Sequence, residues 1–387
     1  MPLNLSAPGL RTLSETSPSP FIGRICERPD YPEPARAREI LLVRGKLDRI
    51  PRGFRAYLLV EEATDVGLQD VYVLGPEHRY LADGDVIRLD PARKNLTALY
   101  RRSSPANTFL VTERCDNYCL MCSQPPRKKD DSWVLDELEE VIPLVSPETR
   151  EIGITGGEPG LLGERLVQFV DMLKRFLPRT AVHILSNGRS FSERELARAL
   201  ARVNHPDLMI GIPLYSDLAE EHDYVVQAQG AFDETVRGIL NLKRARVRVE
   251  LRFVIHAETY SRLPEFANFV ARNLLFVDHV ALMGLELMGF AKTNLGSLWV
   301  DPIDYGNELA AAVRVLHRAG LRTSIYNHQL CVLPPELHPF ARKSISDWKN
   351  VYFKECGDCT QRDACGGFFA SATLKRSRGI SPFRNPA

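Results

Sequence analysis

The sequence predicts an α/β protein: a partial (β/α)6 barrel of the TIM type, with a small mostly-β domain before it and a cysteine-rich extension after it. Two patterns carry this prediction. Between residues 107 and 320, apolar runs of strand length alternate with amphipathic stretches of helical length. Between residues 38 and 101, short β-rich runs are separated by Gly-Asp and Asp-Gly turns. The chain of 387 residues is long enough for two or three domains.

The barrel prediction depends on six strand candidates, which are TFLVT (108–112), EIGITG (151–156), AVHILSNG (181–188), LMIGIPLY (208–215), VRVELRFVI (247–255) and DHVALMGLE (278–286). Helical stretches follow them, at 135–145, 161–177, 192–203, 232–245, 261–274 and 303–319. Near-continuous apolar strands alternating with helices indicate a parallel sheet buried on both faces. In a barrel of this kind, chemistry takes place at the carboxyl ends of the strands.

The expected domain boundaries follow from these composition changes. Residues 1–37 begin with a Pro-, Ser- and Thr-rich stretch and are expected to be poorly ordered. The β-rich domain is expected over 38–104, the barrel over 105–320 and the cysteine-containing segment over 321–387.

Charge and hydropathy give no reason to expect nucleic acid or a membrane as the partner. A formal net charge of +1 gives no reason to expect nucleic acid or an anionic membrane. No window approaches the roughly 18 apolar residues of a membrane helix, and the first residues do not have the pattern of a secretory signal. The sequence therefore predicts a cytoplasmic protein. In a reducing compartment its eight cysteines indicate metal binding or catalysis rather than disulfides. The isolated Cys26 is expected to be structural or incidental.

Three cysteines form a tight group in the loop after the first barrel strand. Cys115, Cys119 and Cys122 have the spacing CxxxCxxC within VTERCDNYCLMCSQPP. A tetrahedral zinc site would need a fourth Cys or His nearby, and none follows at the usual spacing. A cubane iron–sulfur cluster is normally held by four cysteines. Three ligands would leave one iron open for reaction, and three buried structural cysteines are the alternative.

Polar and glycine residues end the next two strands. Gly156, Gly157, Glu158 and Pro159 follow the second strand, where paired glycines would let backbone approach a ligand and Glu could accept from an ammonium group. Ser186 and Asn187 end the third strand and offer hydroxyl and amide groups. A plain turn is the alternative at both places.

Further candidates lie on the later strands. Arg252 could pair with a carboxylate by a charge-assisted bond. Tyr215, His256 and Glu286 are the candidate catalytic residues, with Tyr215 at the end of the fourth strand. Structural roles, such as aromatic packing for Tyr215 and ionic pairing inside the barrel for the others, are the alternatives.

Four cysteines lie near the C-terminus. Cys356, Cys359 and Cys365 form CxxCxxxxxC, and Cys331 supplies a possible fourth ligand. Four thiolates suit either a structural zinc or an iron–sulfur cluster, and spacing alone leaves both open.

At these residues the sequence resembles the radical S-adenosylmethionine (radical SAM) superfamily, whose motif is CxxxCxxC after the first strand of a partial barrel. The resemblance implies a 4Fe-4S cluster at Cys115, Cys119 and Cys122, whose open iron chelates S-adenosylmethionine and whose electron yields a 5′-deoxyadenosyl radical. It implies that GGEP (156–159) binds the amino group of the cosubstrate and that Ser186 and Asn187 contact its ribose or carboxylate. Met121 stands where the family commonly has an aromatic residue, and its thioether could pack on adenine.

Several blocks resemble one branch, the radical SAM maturases of the bacterial His-Xaa-Ser system. These blocks cover roughly residues 105–380 and include CLMCSQPP, DDSW, ITGGEP, LSNGR, GIPLYSD, HDYVVQAQGAFDETVRGILNLK, SIYNHQLCVL, SISDWKN and CGGFFAS. The branch implies modification of a His-Xaa-Ser repeat peptide beside a second radical SAM maturase, with a reductant such as flavodoxin or ferredoxin. The C-terminal cysteines resemble the short auxiliary-cluster extensions (twitch or SPASM type) of peptide-modifying members, which favours a second 4Fe-4S cluster over zinc.

Two rival functions stay open from the sequence. One is a radical SAM enzyme that acts on a small molecule or nucleoside. The other is a zinc-binding scaffold protein without turnover. The content of iron or zinc separates the second rival from the enzyme hypotheses.

Overall fold

The computed structural model describes residues 5–8, 10–14, 17, 19–45, 50–60, 67–344 and 350–384. The chain divides into two compact units. The first consists of Met1–Phe109, Leu135–Glu151 and Met172–Thr180, and the second of Leu110–Val134, Ile152–Asp171 and Ala181–Ala387.

The first unit contains an eight-stranded mixed sheet. Its strands are β1 (Ser6–Pro8), β2 (Arg11–Thr12), β3 (Phe21–Cys26), β4 (Glu39–Val43), β5 (Ala56–Leu59), β6 (Val71–Val73), β7 (Val86–Asp90) and β8 (Asn95–Tyr100). They lie in the order β1-β8-β7-β3-β4-β5-β6-β2. Strand β4 is buried along its whole length because alternate residues enter two separate hydrophobic clusters. Cys26 belongs to one of these clusters, as expected of a structural cysteine.

This sheet begins earlier than the predicted boundary at residue 38. Strand β3 lies in the middle of the sheet, parallel to β4 and antiparallel to β7, and a short helix, α1 (Glu33–Arg36), follows it. The prediction that residues 1–37 are poorly ordered is therefore wrong for residues 21–26. Phe21 and Ile25 alternate into the core, a short pattern that the neighbouring prolines and serines conceal. Residues 1–4, 9, 15, 16 and 18 of that segment lie outside the described part of the chain.

The barrel sheet has seven strands arranged in chain order. They are β9 (Asn107–Leu110), β10 (Glu151–Thr155), β11 (Ala181–Leu185), β12 (Leu208–Pro213), β13 (Arg248–Ile255), β14 (His279–Gly284) and β15 (Thr323–Tyr326). The pairs from β11 to β15 are parallel. This architecture confirms the predicted α/β fold with a partial barrel, and the six predicted strands match β9–β14 to within a few residues.

Helices connect successive barrel strands. They are α2 (Ser132–Val141), α3 (Glu164–Phe176), α4 (Arg194–Arg202), α5 (Ala219–Val226), α6 (Ala231–Arg244), α7 (Leu263–Asn273), α8 (Gly289–Thr293), α9 (Leu295–Leu298) and α10 (Gly306–Arg318). The prediction did not include α5, α8 or α9, which are short. In the described residues, no helix combines the length and apolar character needed to cross a membrane.

The segment after β15 has little regular structure. It contains short 3-10 turns and two isolated bridges, Ile325 with Ala341 and Val351 with Phe368. The Gln329 side chain donates to the Gly367 carbonyl at 2.7 Å. The Asp301 carboxylate accepts from the Ser377 hydroxyl and from the Arg378 amide, the latter at 2.9 Å. These bonds hold the C-terminal end of the chain against the segment that precedes α10.

Candidate active site

The three-cysteine loop leaves the carboxyl end of β9. Cys115, Cys119 and Cys122 are free, partly buried thiols. The loop is held at its tip by α5, because the Tyr118 and Leu120 amides donate to carbonyls in the last turn of that helix at 3.0 and 2.9 Å. Burial raises the pKa of Cys115 to about 12 and also raises the pKa values of Cys119 and Cys122. The helix that prediction missed is therefore part of the support of this loop.

A buried aspartate anchors the start of the same loop. Asp131 accepts a hydrogen bond from the Thr112 hydroxyl at 2.9 Å, another from the Glu113 amide, and an ionic bond from Arg114 Nε at 3.1 Å. Asp131 is only 5% exposed. Sequence reasoning did not give it a role, although it belongs to the DDSW block.

The paired glycines after β10 pack directly on the cysteine loop. A Cβ added to Gly156 would lie 2.3 Å from the Thr112 carbonyl oxygen, and one added to Gly157 would lie 2.1 Å from that of Arg114. The Gly157 amide donates to Thr112 at 2.8 Å and the Glu158 amide to Arg114 at 2.7 Å. The close approach that requires glycine here is between the two loops.

Glu158 is completely buried and points toward the loop after β11. Its carboxylate accepts from the Gly160 amide at 2.6 Å, the Ser186 hydroxyl at 2.7 Å and the Asn187 amide at 2.5 Å. Burial raises the pKa of Glu158 to about 7, although these three bonds oppose the shift. Pro159 begins a short 3-10 turn (Pro159–Leu162) directly after it. The structure thus brings together Glu158, predicted after the second strand, and Ser186 and Asn187, predicted at the end of the third.

The loop after β11 also contacts the cysteine loop. Asn187 Nδ2 donates to Asp116 Oδ1 at 2.6 Å. Arg189 Nη1 donates to the Asp116 carbonyl at 2.9 Å and to Asn117 Oδ1 at 2.7 Å, while its Nε pairs with Glu234 at 2.6 Å. Sequence reasoning missed Asp116 and Arg189. Their charges, one between two cysteines and one just after SNG, were the available signal.

Tyr215 belongs to the same hydrophobic cluster as Met121, a residue of the cysteine loop. Both are buried, and Cys119 packs against this cluster. The Tyr215 ring stacks on His222 with centroids 5.9 Å apart. Burial raises the pKa of Tyr215 well above its usual value, and the neighbouring Cys119 and Cys122 raise it further. Tyr215 therefore stays a neutral phenol beside the cysteines.

Arg252 is held in an ionic network inside the barrel. Its Nη1 lies 3.1 Å from Glu250 Oε1. The other Glu250 oxygen is 2.6 Å from His279 Nδ1, and His279 Nε2 is 2.9 Å from Ser324 Oγ. Burial alone would raise the pKa of Glu250, but the His279 bond and the Arg252 charge outweigh it and lower that pKa to about 2. Glu250 is therefore held in a structural ionic pairing with Arg252 and His279 inside the barrel.

The other two catalytic candidates, His256 and Glu286, follow neighbouring strands but differ in their exposure to solvent. His256 follows β13 directly and is fully buried. Neither of its ring nitrogens has a hydrogen-bond partner among the described residues, and burial lowers its pKa to about 4. Glu286 follows β14 and is partly exposed. His256 is therefore a neutral imidazole, whereas Glu286 is accessible to solvent.

The four C-terminal cysteines line one cavity. Its walls include Cys331, Cys356, Cys359 and Cys365, together with the aromatic residues Tyr352 and Phe368. All four cysteines are free thiols. The Tyr352 hydroxyl donates to the Cys365 carbonyl at 2.6 Å. The fold thus places four cysteines, which are up to 34 positions apart in the sequence, around one apolar cavity.

Both cysteine groups consist of free thiols. Three thiols in one loop, and another four around one cavity, are donor sets that fit iron–sulfur clusters. The four thiols of the C-terminal cavity also suit a structural zinc.

Comparison with known families agrees with this geometry. Residues 109–270 match the model of the Radical SAM superfamily. The match identifies this segment, which contains the three-cysteine loop and the strands from β10 to β13, as a radical SAM domain. No curated protein matches the sequence significantly.

Three solved structures are similar to part of this chain at low sequence identity. SuiB of Streptococcus suis bound to S-adenosylmethionine has 13% identity and a TM-score of 0.45, over 58% of this chain and 51% of that chain. Native anSMEcpe with bound AdoMet has 14% identity and a TM-score of 0.43, over 57% and 63%. Methylornithine synthase (PylB) has 16% identity and a TM-score of 0.40, over 57% and 64%. The chain therefore spans about half the length of SuiB.

Proposed function

We propose that this chain reductively cleaves S-adenosylmethionine at a 4Fe-4S cluster held by Cys115, Cys119 and Cys122, and that the product radical modifies a peptide. One observation carries the proposal. The loops after β10 and β11 bind the three-cysteine loop through backbone and side-chain hydrogen bonds, at the carboxyl ends of parallel strands. This is the end of such a barrel at which catalysis takes place.

The loops around the cysteines suit the binding of S-adenosylmethionine. Glu158 is the proposed partner of the amino group, because an ammonium beside a buried carboxylate favours its ionised form. The turn of Gly156, Gly157 and Pro159 holds that carboxylate in position. We assign Ser186 and Asn187 to the ribose or carboxylate and Met121 to the adenine.

Arg252 is the proposed partner of the cosubstrate carboxylate. Its Nη1 is already bound to Glu250, and its Nη2 lies 3.3 Å from the Met283 sulfur. A guanidinium fixed in this way loses little side-chain freedom when it binds a carboxylate.

The bound cofactors would supply the electron transfer and the radical, and the chain supplies position and exclusion of water. Tyr215 is a buried neutral phenol beside the cysteines, so it can donate a hydrogen bond without ionising. His256 is buried as a neutral imidazole and can accept or donate one proton. Glu286 is partly exposed and could contact a substrate that enters from solvent. These three residues are the proposed substrate-facing groups.

The proposed substrate is a His-Xaa-Ser repeat peptide, and the support is the sequence resemblance to His-Xaa-Ser maturases. The same resemblance supports a second radical SAM maturase as a partner and flavodoxin or ferredoxin as the reductant. For the C-terminal cavity we propose a second 4Fe-4S cluster, since four cysteines line it. We also propose the cytoplasm as the location, because eight free thiols need a reducing compartment.

The test of cleavage uses the full chain reconstituted anaerobically with iron and sulfide. With S-adenosylmethionine and dithionite we expect 5′-deoxyadenosine and methionine. Cys119→Ala should abolish both products, whereas Cys26→Ala, which changes a buried cysteine of the first unit, should keep them. Normal cleavage by Cys119→Ala would show that the cluster assignment is wrong, and zinc without iron at both sites would favour a scaffold protein.

The test of substrate uses coexpression with a His-Xaa-Ser repeat peptide. Tandem mass spectrometry together with chromatographic retention should reveal a modified peptide, including an isomeric one. The Cys119→Ala variant is the control, and it should give unmodified peptide. An unmodified peptide with the parent chain, while cleavage of S-adenosylmethionine is intact, would favour a small molecule or nucleoside as substrate.

A further inference from the structure

An open cleft of about 510 Å³ lies beside Cys115. Four of its lining side chains are cationic and only one is acidic, with Tyr118 and Pro126 among the rest. The cations are Arg114, Arg127, Lys128 and Lys129, and the acid is Asp130. Apart from Cys115, the residues of this basic cleft have no role in the cluster or cosubstrate site proposed above.

The two lysines carry the unbalanced charge of the basic cleft. Arg114 pairs with the buried Asp131 at 3.1 Å, and Arg127 Nε lies 3.5 Å from Glu113. Lys128 and Lys129 are exposed, and neither forms an ion pair with any described residue. The Lys128 ammonium lies 5.9 Å from the centre of the Tyr118 ring. The positive charge is thus presented to solvent beside a cysteine of the proposed cluster.

We propose that the basic cleft docks an acidic electron-donor protein. The proposal rests on the proposed function, in which each cleavage consumes one electron. The donor protein loses this electron, and the carbon–sulfur bond of the sulfonium accepts it and breaks into methionine and the 5′-deoxyadenosyl radical. Because Cys115 is part of the cleft wall, a donor docked there approaches the proposed cluster without crossing the barrel interior.

Charge complementarity selects the occupant. Because the two arginines are already paired, it is the two lysines of the patch that attract an acidic protein and speed its association at low ionic strength. Electron-transfer complexes have small interfaces and short lifetimes, so a compact charged patch is sufficient as a docking surface. The fixed positions of the proposed His-Xaa-Ser peptide are neutral or cationic, so they are not attracted by a basic surface. The cleft is therefore assigned to the donor and not to the peptide.

The test compares two reductants, reduced flavodoxin as an acidic protein and dithionite as a small molecule. The variant Lys128→Glu/Lys129→Glu reverses two exposed charges without removing a buried group. At low salt we expect its KM for flavodoxin to rise about tenfold or more, and added salt should narrow the difference from the parent chain. Its dithionite-driven rate and its affinity for S-adenosylmethionine should not change. Calorimetric titration with oxidised flavodoxin should show the same loss of affinity without turnover.

The matched control is Arg194→Glu/Arg198→Glu, which reverses two exposed charges on α4 and should leave the KM for flavodoxin unchanged. An unchanged KM in the lysine variant would overturn the docking assignment. So would weaker binding of S-adenosylmethionine or slower dithionite-driven cleavage, because the cleft would then be part of the cofactor site. Selective loss of peptide binding would reassign it to the substrate. If the parent chain forms no 5′-deoxyadenosine with dithionite, it is the proposed function that fails.

Discussion

The Ser186 hydroxyl donates a 2.7 Å hydrogen bond to the buried carboxylate of Glu158, although the two residues are 28 positions apart and follow different strands. The bond joins the two loops assigned to S-adenosylmethionine. It also favours the ionised form of a carboxylate whose pKa burial raises to about 7.

We expect Ser186→Ala to weaken binding of S-adenosylmethionine by roughly fivefold to tenfold at pH 7, since one hydrogen bond to a buried charged group is lost. Without this bond the pKa of Glu158 should rise further, so more of the carboxylate is protonated and unable to bind an ammonium. The loss should therefore be smaller at pH 8.5 than at pH 7. Equilibrium binding of S-adenosylmethionine at both pH values checks this prediction. The control is Ser297→Ala, at an exposed serine. A loss that does not depend on pH would contradict the role given to Glu158.

Gly157→Ala should disrupt the contact between the cysteine loop and the loop after β10. The added Cβ would lie 2.1 Å from the Arg114 carbonyl oxygen, so backbone must move. We expect a loss of about 2–3 kcal/mol in the free energy of unfolding and reduced iron binding after reconstitution. Gly296→Ala is the matched control, because its Cβ would meet no atom within 4 Å and a helical alanine is favoured. Denaturant unfolding and iron analysis give both readouts, and equal stability of the two variants would refute the packing argument.

Iron content should separate the two cysteine groups. The parent chain is expected to hold about eight irons, and both Cys119→Ala and Cys359→Ala about four. Only Cys119→Ala should abolish formation of 5′-deoxyadenosine from S-adenosylmethionine, because Cys359 lines the C-terminal cavity. Cys26→Ala should keep the full iron content. Four irons in the parent chain, with no effect of Cys359→Ala, would exclude a second cluster.

Glu250→Gln should destabilise the fold in a pH-dependent manner. The folded pKa of Glu250 is lowered to about 2, so its carboxylate stabilises the fold fully above the unfolded pKa of about 4.5, and this contribution is lost as pH falls toward 2. At pH 7 we expect a loss of about 2 kcal/mol in the free energy of unfolding. The difference from the parent chain should shrink below pH 4.5. Urea unfolding at pH 7, 5 and 4 measures this difference in the free energy of unfolding. The control is Glu195→Gln, at an exposed position. A difference that is constant with pH would show that the ionic network does not stabilise the fold.

Local pattern was sufficient for the six predicted barrel strands and for the motifs. The alternation of apolar strands and amphipathic helices predicted the barrel because a parallel sheet covered by helices must bury both faces. The spacing of Cys115, Cys119 and Cys122 predicted one ligand loop, because three thiols so close in the sequence lie in the same loop. The pattern did not reveal strand β3, whose few core residues stand beside a Pro- and Ser-rich stretch, or α5, which is too short for a clear helical period.

The sequence by itself determined the class of fold, the three-cysteine loop and its place after the first barrel strand. Only the tertiary structure decided what holds that loop. Asp116 accepts a hydrogen bond from Asn187, which lies 71 residues later in the chain. Gly157 packs against the Arg114 backbone. Lys128 and Lys129 line a cleft together with Cys115. Contacts between the ends of separate strands depend on the register and curvature of the sheet, and no periodicity within one segment encodes them.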